Sequence, residues 1–203
     1  MLDSIWNFYT ENGEINEKIT YRENQRNGYT FLYKVSESKN GSKLRYLYAK
    51  ELYLNDKKEG YSLYYYPTGE LHKIVHYENN VKNDVSKEFS PDSTLISILM
   101  YRNGYLIEQQ KINRYDKAGR KYGVWKNFFK NGQLHTEGFY KNDSLHGIYR
   151  EYNVKGELIT FLQYNMGKVT EETIGISEDI DFKKEYYNDG TIKFTGSFKN
   201  NVL

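Results

Sequence analysis

The stretch Gly123-Val-Trp-Lys-Asn-Phe-Phe-Lys-Asn-Gly132-Gln-Leu-His-Thr-Glu-Gly138-Phe-Tyr140-Lys-Asn-Asp-Ser-Leu-His-Gly147 reads as strand, turn, strand, turn, and the rest of the chain repeats it. Its first turn ends at Gly132, and Gly156 follows 24 residues later; Gly69 and Ser93 are 24 apart as well. Self-similarity at a fixed spacing marks a repeat architecture. Gly13 and Gly190 head further copies, and a distorted seventh copy surrounds Gly41, with an insertion on each side of its turn.

Take the turn residue as position zero. The residue four before it is Tyr9, Tyr65, Phe89, Phe128, Tyr152 or Tyr186, aromatic in every copy. Two after it stand Ile15, Leu71, Leu95, Leu134, Leu158 and Ile192, and eight after it Tyr21, Tyr77, Tyr101, Tyr140, Tyr164 and Phe198. Offsets two and eight are both even, so on one continuous strand they face the same way, and offset six joins them. These positions are the expected repeat core, gathered on one face. The aromatic at minus four joins that face when the hairpin loop has three residues, which sets minus four opposite plus two. Pro67 and Pro91, the only prolines, stand two before the turn residue, the second position of a type I turn followed by a left-handed residue, and they select that loop. A second turn follows plus eight, at Glu23-Asn24, Asn79-Asn80, Asn103-Gly104, Asn142-Asp143 and Asn200-Asn201, pairs suited to left-handed backbone.

The expected fold is therefore all-β: an elongated antiparallel meander of tandem hairpins with a period of about 24 residues, and no helix longer than about two turns. One repeat domain is expected over 1–203, with about seven copies and insertions near 36–40, 109–118 and 172–181 that interrupt the ladder. The chain ends on a turn whose following strand is missing, so a fragment of a longer array, or an edge strand awaiting a partner, is expected there.

The phrases Gly123 to Leu134, Gly138 to Gly147 and Gly147-Ile-Tyr-Arg-Glu-Tyr152 resemble the MORN repeat variant. The resemblance is sharpest over 123–171, good from 60 to 84 and touches most of the chain. Bacterial proteins with this repeat are often named YwqK-type antitoxins. The wider group is associated with scaffolding, membrane-associated assemblies and partner binding, and no functional residues travel with the repeat.

Composition narrows the function classes. Aromatic residues make up 17% of the chain and tyrosine occurs 22 times, which suits a thin, sheet-deep core with hydroxyls near water. The 29 basic and 27 acidic residues alternate without blocks, so nothing points to nucleic acid. Cysteine is absent, removing disulfides, thiol nucleophiles and thiolate metal sites. No apolar run approaches the ~20 residues of a membrane helix, and Met1 to Thr10 lacks the order of a signal peptide. A soluble chain is expected, cytoplasmic or in the cell envelope after loss of a leader absent from this chain, with peripheral membrane association open to it.

Candidate chemistry is thin. His72 and His76 lie four apart in an expected strand and face the same way, but no third ligand recurs at that spacing. His135 repeats the position of His72, which makes both look like parts of the repeat. No phosphate loop or nucleophile elbow occurs; Gly119 to Gly123 lacks the strand and helix that a phosphate loop needs. No catalytic residue, metal or cofactor is expected. The aromatics off the core pattern, Tyr64, Tyr66, Trp125, Phe129, Phe139 and Tyr187, either pack on a neighbouring repeat or anchor a partner, and five of them, Tyr66 excepted, are taken as partner-binding candidates. The leading expectation is a non-catalytic protein-binding scaffold, antitoxin- or inhibitor-like or part of a cell-envelope complex. The alternative is a carbohydrate or cell-wall module, opposed by the scarcity of tryptophan, with only Trp6 and Trp125. Function is expected to concentrate at the terminal edge and at the 109–118 insertion.

Overall fold

The computed structural model describes residues 4–173, 180–186 and 192–199, with side-chain surroundings described as far as residue 170. The described residues contain strands and turns and no helix. The first unit, residues 1–110, holds β1 (Ile5–Tyr9), β2 (Ile15–Arg22), β3 (Gln25–Glu37), β4 (Lys43–Leu54), β5 (Lys57–Lys58), β6 (Gly60–Tyr65), β7 (Leu71–Glu78), β8 (Val81–Lys82), β9 (Asp84–Phe89), β10 (Leu95–Arg102) and β11 (Tyr105–Lys111). They form one antiparallel sheet in the order β1-β2-β3-β4-β6-β7-β9-β10-β11, with β5 on β4 and β8 on β7. The second unit begins at Lys111 and holds β12 (Arg114–Tyr115), β13 (Lys121–Phe128), β14 (Leu134–Lys141), β15 (Ser144–Tyr152), β16 (Leu158–Asn165) and β17 (Lys168–Thr173) in sequential order. A separate hairpin pairs β18 (Ile180–Tyr186) with β19 (Ile192–Lys199).

The single repeat domain expected over 1–203 thus resolves into two compact units. The break falls in the 109–118 insertion, because β11 closes one sheet and β12 opens the next. There Asn113 acts as a substitute strand residue. Its side-chain amide accepts from the Lys126 N–H at 2.7 Å and donates to the Lys126 carbonyl at 2.9 Å, so it pairs a stretch of β13 that β12 is too short to reach. The insertion near 36–40 does not interrupt the ladder. Residues Gly28 to Glu37 pair continuously with Lys43 to Tyr53, so the extra residues lengthen both strands of that hairpin by four. The 172–181 insertion falls partly on 174–179, outside the described residues.

The three-residue loop is the one selected by the prolines. In the loop at Gly69, Tyr66 N–H donates to the Glu70 carbonyl and Gly69 N–H to the Tyr66 carbonyl, and Tyr65 lies opposite Leu71. The same bond pair closes the loops at Gly13, Gly41, Ser93, Gly132 and Gly156, and also one at Gly119 that the repeat count missed. The second turns have positive φ at both central residues, as at Asn79 (49°) and Asn80 (71°), the geometry matched to strand twist. Asn55-Asp56 and Met166-Gly167 add two more of these turns. They stack. Asn80 N–H donates to the Lys58 carbonyl while its Oδ1 accepts from Lys58 N–H at 2.7 Å, and Asp143 does the same to Lys121 at 2.8 Å. An Asn or Asp in the second turn therefore bonds the preceding turn's strand as well as shaping its own loop.

One expectation is overturned. Every bulge that follows a hairpin loop of the main register skips the residue three after the turn: Asn16, His72, Ile96, His135, Ile159 and Lys193 have no opposite residue. In the long hairpin the skipped residue is Tyr48. One extra residue reverses the facing of everything beyond it. Offsets two and eight, both even, therefore lie on opposite faces. Tyr64 reaches the Tyr77 hydroxyl at 3.3 Å, so Tyr65, its neighbour along the strand, faces away from Tyr77. Trp125 touches Tyr140, and Phe128, an odd number of residues on, faces away from both. By the same register Tyr9, Ile15, Leu71, Phe89, Leu95, Leu134, Tyr152 and Leu158 leave the face of Tyr21, Tyr101 and Tyr164. Tyr186 pairs with Ile192 across a bulge, and Asp181 with Phe198, so that hairpin keeps the register.

The buried face is made of offsets −9, −7, −5, +4, +6 and +8. All the buried residues among the described ones of the first unit lie on it, those of the Gly41 hairpin displaced by its four-residue extension: Ile19, Thr30, Ala49, Glu51, Tyr53, Ser62, Val75, Ser86, Ser97 and Leu99. Small and large residues alternate across it, Ser62 facing Val75 and Ser86 facing Leu99. In the second unit the sizes are inverted. Gly138 stands between Trp125 and Tyr149, where a Cβ would meet Leu145 Cδ2 at 2.8 Å and Tyr149 Cδ2 at 3.2 Å.

Candidate functional site

The opposite face is half open, and strand register arranges it in rows running across the sheet. In the first unit one row reads Asn7, Lys18, Phe31, Lys50, Leu63, Ile74, Lys87, Ile98. A second, nearer the stacked turns, pairs Ile5 with Thr20, Tyr29 with Leu52, Tyr61 with His76 and Val85 with Met100. A third, nearer the hairpin loops, pairs Tyr9 with Ile15, Tyr33 with Leu47, Tyr65 with Leu71 and Phe89 with Leu95. No Asp or Glu stands in any of them. Tyr61 is 56% exposed and Met100 37%, so apolar surface is left open on this face. Tyr61, Leu63, Ile74, Val85 and Lys87 line a groove of about 560 Å³. Lys50 Nζ lies over the Tyr29 ring at 4.0 Å.

The second unit carries the same row with different electrostatics. Lys126, Glu137, Arg150 and Phe161 follow one another across β13 to β16. Glu137 is clamped from both sides, with Lys126 Nζ at 3.2 Å and Arg150 Nη1 at 2.8 Å. Burial raises the Glu137 carboxyl, but the charges and hydrogen bonds of Lys126 and Arg150 outweigh it and hold the group below its ordinary range. Beside this row, Val124, Phe139, Ile148 and Gln163 contribute to a groove of about 440 Å³.

The aromatic candidates separate accordingly. Phe139 lies on the open face and is 44% exposed. Tyr64 and Trp125 lie on the buried face, corrections to their reading as surface residues that follow from the bulge. Tyr64 donates to Glu51 at 3.0 Å and sits against Tyr48, while Trp125 is flanked by Tyr115 and Tyr140 with Lys121 over its ring at 4.4 Å. Phe129 stacks on the bulge residue His135 at 4.3 Å, as Tyr66 stacks on His72 at the same distance. The two histidines thus fill the same place beside their turns, and His76, stacked on Tyr61 at 4.8 Å, does not converge with His72. Tyr187 lies outside the described residues. Among the described residues, no group of three His, Asp or Glu is placed to hold a metal, and no helix is long and apolar enough to cross a membrane.

One polar cluster escaped the sequence reading. Glu51, 2% exposed, accepts from Lys58 Nζ at 2.6 Å, the Tyr53 hydroxyl at 3.0 Å and the Tyr64 hydroxyl at 3.0 Å. It stands where other hairpins carry Ile19, Val75 and Leu99. Burial would lower Lys58, but the Glu51 hydrogen bond and charge raise it; burial first and Glu51 second raise Tyr53. The four-residue extension displaced Glu51 from its repeat offset, which hid it.

This architecture defines a class: tandem β-hairpin repeats joined through stacked turns, with one buried and one open face. The MORN repeat variant matches the chain at residues 2–23, 58–79, 121–142 and 183–200. Those four segments are the hairpins at Gly13, Gly69, Gly132 and Gly190; the hairpins at Gly41, Ser93 and Gly156 lie between them. MORN repeats are binding modules for proteins and membranes. No curated protein matches the chain.

Proposed function

We propose that the chain is a non-catalytic repeat scaffold that holds a partner protein on the open face of its first unit. The observation carrying this reading is the set of three rows described above: largely apolar and half open, with lysines but no carboxylate among them. Aromatic and aliphatic anchors on a rigid sheet supply docking energy without a catalytic group. Capture of an inhibited protein, as an antitoxin does, and assembly into a cell-envelope complex would both use this face in the same way. Trp125 is covered by its own neighbours and offers no platform to a sugar, and the exposed Tyr61 stands among the aliphatic side chains of the groove.

The test is site-specific photocrosslinking in the source cell, with the photoreactive residue at Tyr61, on the native background and on a Leu63→Glu/Met100→Glu background. A discrete protein adduct lost in the double variant is expected. An adduct that persists, or crosslinking to glycan alone, would move the contact elsewhere and sink the reading.

A further inference from the structure

The two units carry equivalent rows on their open faces, and the rows differ in one respect. In the second unit the row supplies its own counter-charge, Glu137 between Lys126 and Arg150. In the first unit Lys18, Lys50 and Lys87 occupy the row, and among the described residues none has a carboxylate within ion-pair distance. Along these strands Glu17, Glu51 and Glu88 turn to the buried face, Glu108 stands on β11 beyond Ile98, and Glu59 and Glu78 sit at the stacked-turn edge, where Glu59 accepts from Asn79 N–H and Glu78 from the Asn83 amide. Resting on the docking reading above, we propose that this row recognises an acidic protein surface whose carboxylates, set among apolar side chains, supply the counter-charge that the first unit lacks.

Geometry makes the requirement specific. Lys18 and Lys50 are two strands apart and Lys50 and Lys87 three, so at the spacing of hydrogen-bonded strands the lysines repeat at about 10 Å and 14 Å. Phe31 stands between the first pair, and Leu63 and Ile74 between the second, so each charge is ringed by apolar surface that excludes water when covered. A covered lysine without a partner carboxylate is costly, and a partner of the wrong sign is rejected more strongly than one of the right sign is attracted. An anionic bilayer is the poorer fit. Adjacent strands rotate by about 20–25°, so over the eight strands of this row a flat surface meets only part of it, whereas a protein surface can follow the twist.

The experiment uses the full chain and two labelled amphipathic peptides with identical apolar positions, one bearing glutamates and the other lysines at the polar positions, read by fluorescence anisotropy at low and high salt. The glutamate peptide is expected to bind about tenfold or more tightly, with the preference collapsing in Lys18→Gln/Lys50→Gln/Lys87→Gln and in high salt. Equal binding of the two peptides, or a preference unchanged in the triple variant, overturns the acidic-partner proposal. Loss of both peptides in Leu63→Glu/Met100→Glu would then show the docking face still standing, and retention of both would remove it too. Phosphatidylserine vesicles form the third arm. Lysine-dependent vesicle binding that the glutamate peptide cannot displace would overturn the proposal in favour of a membrane.

Discussion

Replacing Glu51 by leucine converts one hairpin to the pattern of its neighbours, and its cost can be worked from three contacts. The carboxylate accepts from Lys58, Tyr53 and Tyr64, and only Lys58, whose side chain keeps 25% exposure, can turn to water when the acceptor goes. The Tyr53 hydroxyl is then stranded, at about 1–2 kcal/mol, while Tyr64 keeps the Tyr77 hydroxyl at 3.3 Å, and the loss of a partly screened ion pair adds about 1 kcal/mol. Apolar burial of the new leucine offsets about 1 kcal/mol, leaving a destabilisation of about 1–2 kcal/mol. Lys58→Met on the same chain removes the ammonium left unpaired, so the double variant should recover about 1 kcal/mol relative to the sum of the single changes. Urea unfolding followed by Trp6 fluorescence in a Trp125→Phe background reports the first unit, and the midpoint should fall by about 0.5–1.5 M at ordinary slopes. A cost below about 0.5 kcal/mol, or strict additivity with Lys58→Met, would refute the view that Glu51 organises this cluster.

Three further outcomes are expected, one from this cluster and two from the second unit. Lys58 and Tyr53 have folded pKa values raised above the reference 10.5 and 10.0, so their stabilisation is complete below pH 10 and is lost as pH rises through the folded values; a Trp6-monitored stability profile that stays flat above pH 10 would contradict this. Asp143→Ala removes the acceptor for Lys121 N–H and leaves alanine at a φ of 64°, which should cost about 1–3 kcal/mol by thermal melting, while Asp143→Asn should cost well under half of that. Gly138→Ala should cost about 1–3 kcal/mol through overpacking against Leu145 and Tyr149; Gly132→Ala, with open space at its Cβ but a φ of 85°, should cost about 1 kcal/mol, and both are read by urea midpoint.

Much of the candidate site was written in the residues without being readable there. Phe139 could be picked out as an off-pattern aromatic, yet the same rule also picked Tyr64 and Trp125, which the sheet turns inward. Tyr61, Ile74 and Lys87 carried no mark, because their importance lies in which strands stand beside them. The lysine row joins residues 18, 50 and 87, separations that only strand order brings together.

The local grammar of this protein was determined by the sequence alone: turn glycines and prolines restrict φ, Asn and Asp tolerate left-handed backbone, and alternating aromatics and aliphatics define strands. From these came the all-β class, the three-residue loop and the pairing of Phe128 with Leu134. Which face each residue takes was decided only by the tertiary structure. The bulge position holds His72, Ile96, Asn16 or Ile159, residues with no shared chemistry, so no residue type announces the extra step, and the bulge arises because neighbouring strands must keep their hydrogen bonds while the sheet twists. A single unpaired residue in each hairpin of the main register then reverses every side chain beyond it, and with that reversal goes the division between a face of packed tyrosines and a half-open face.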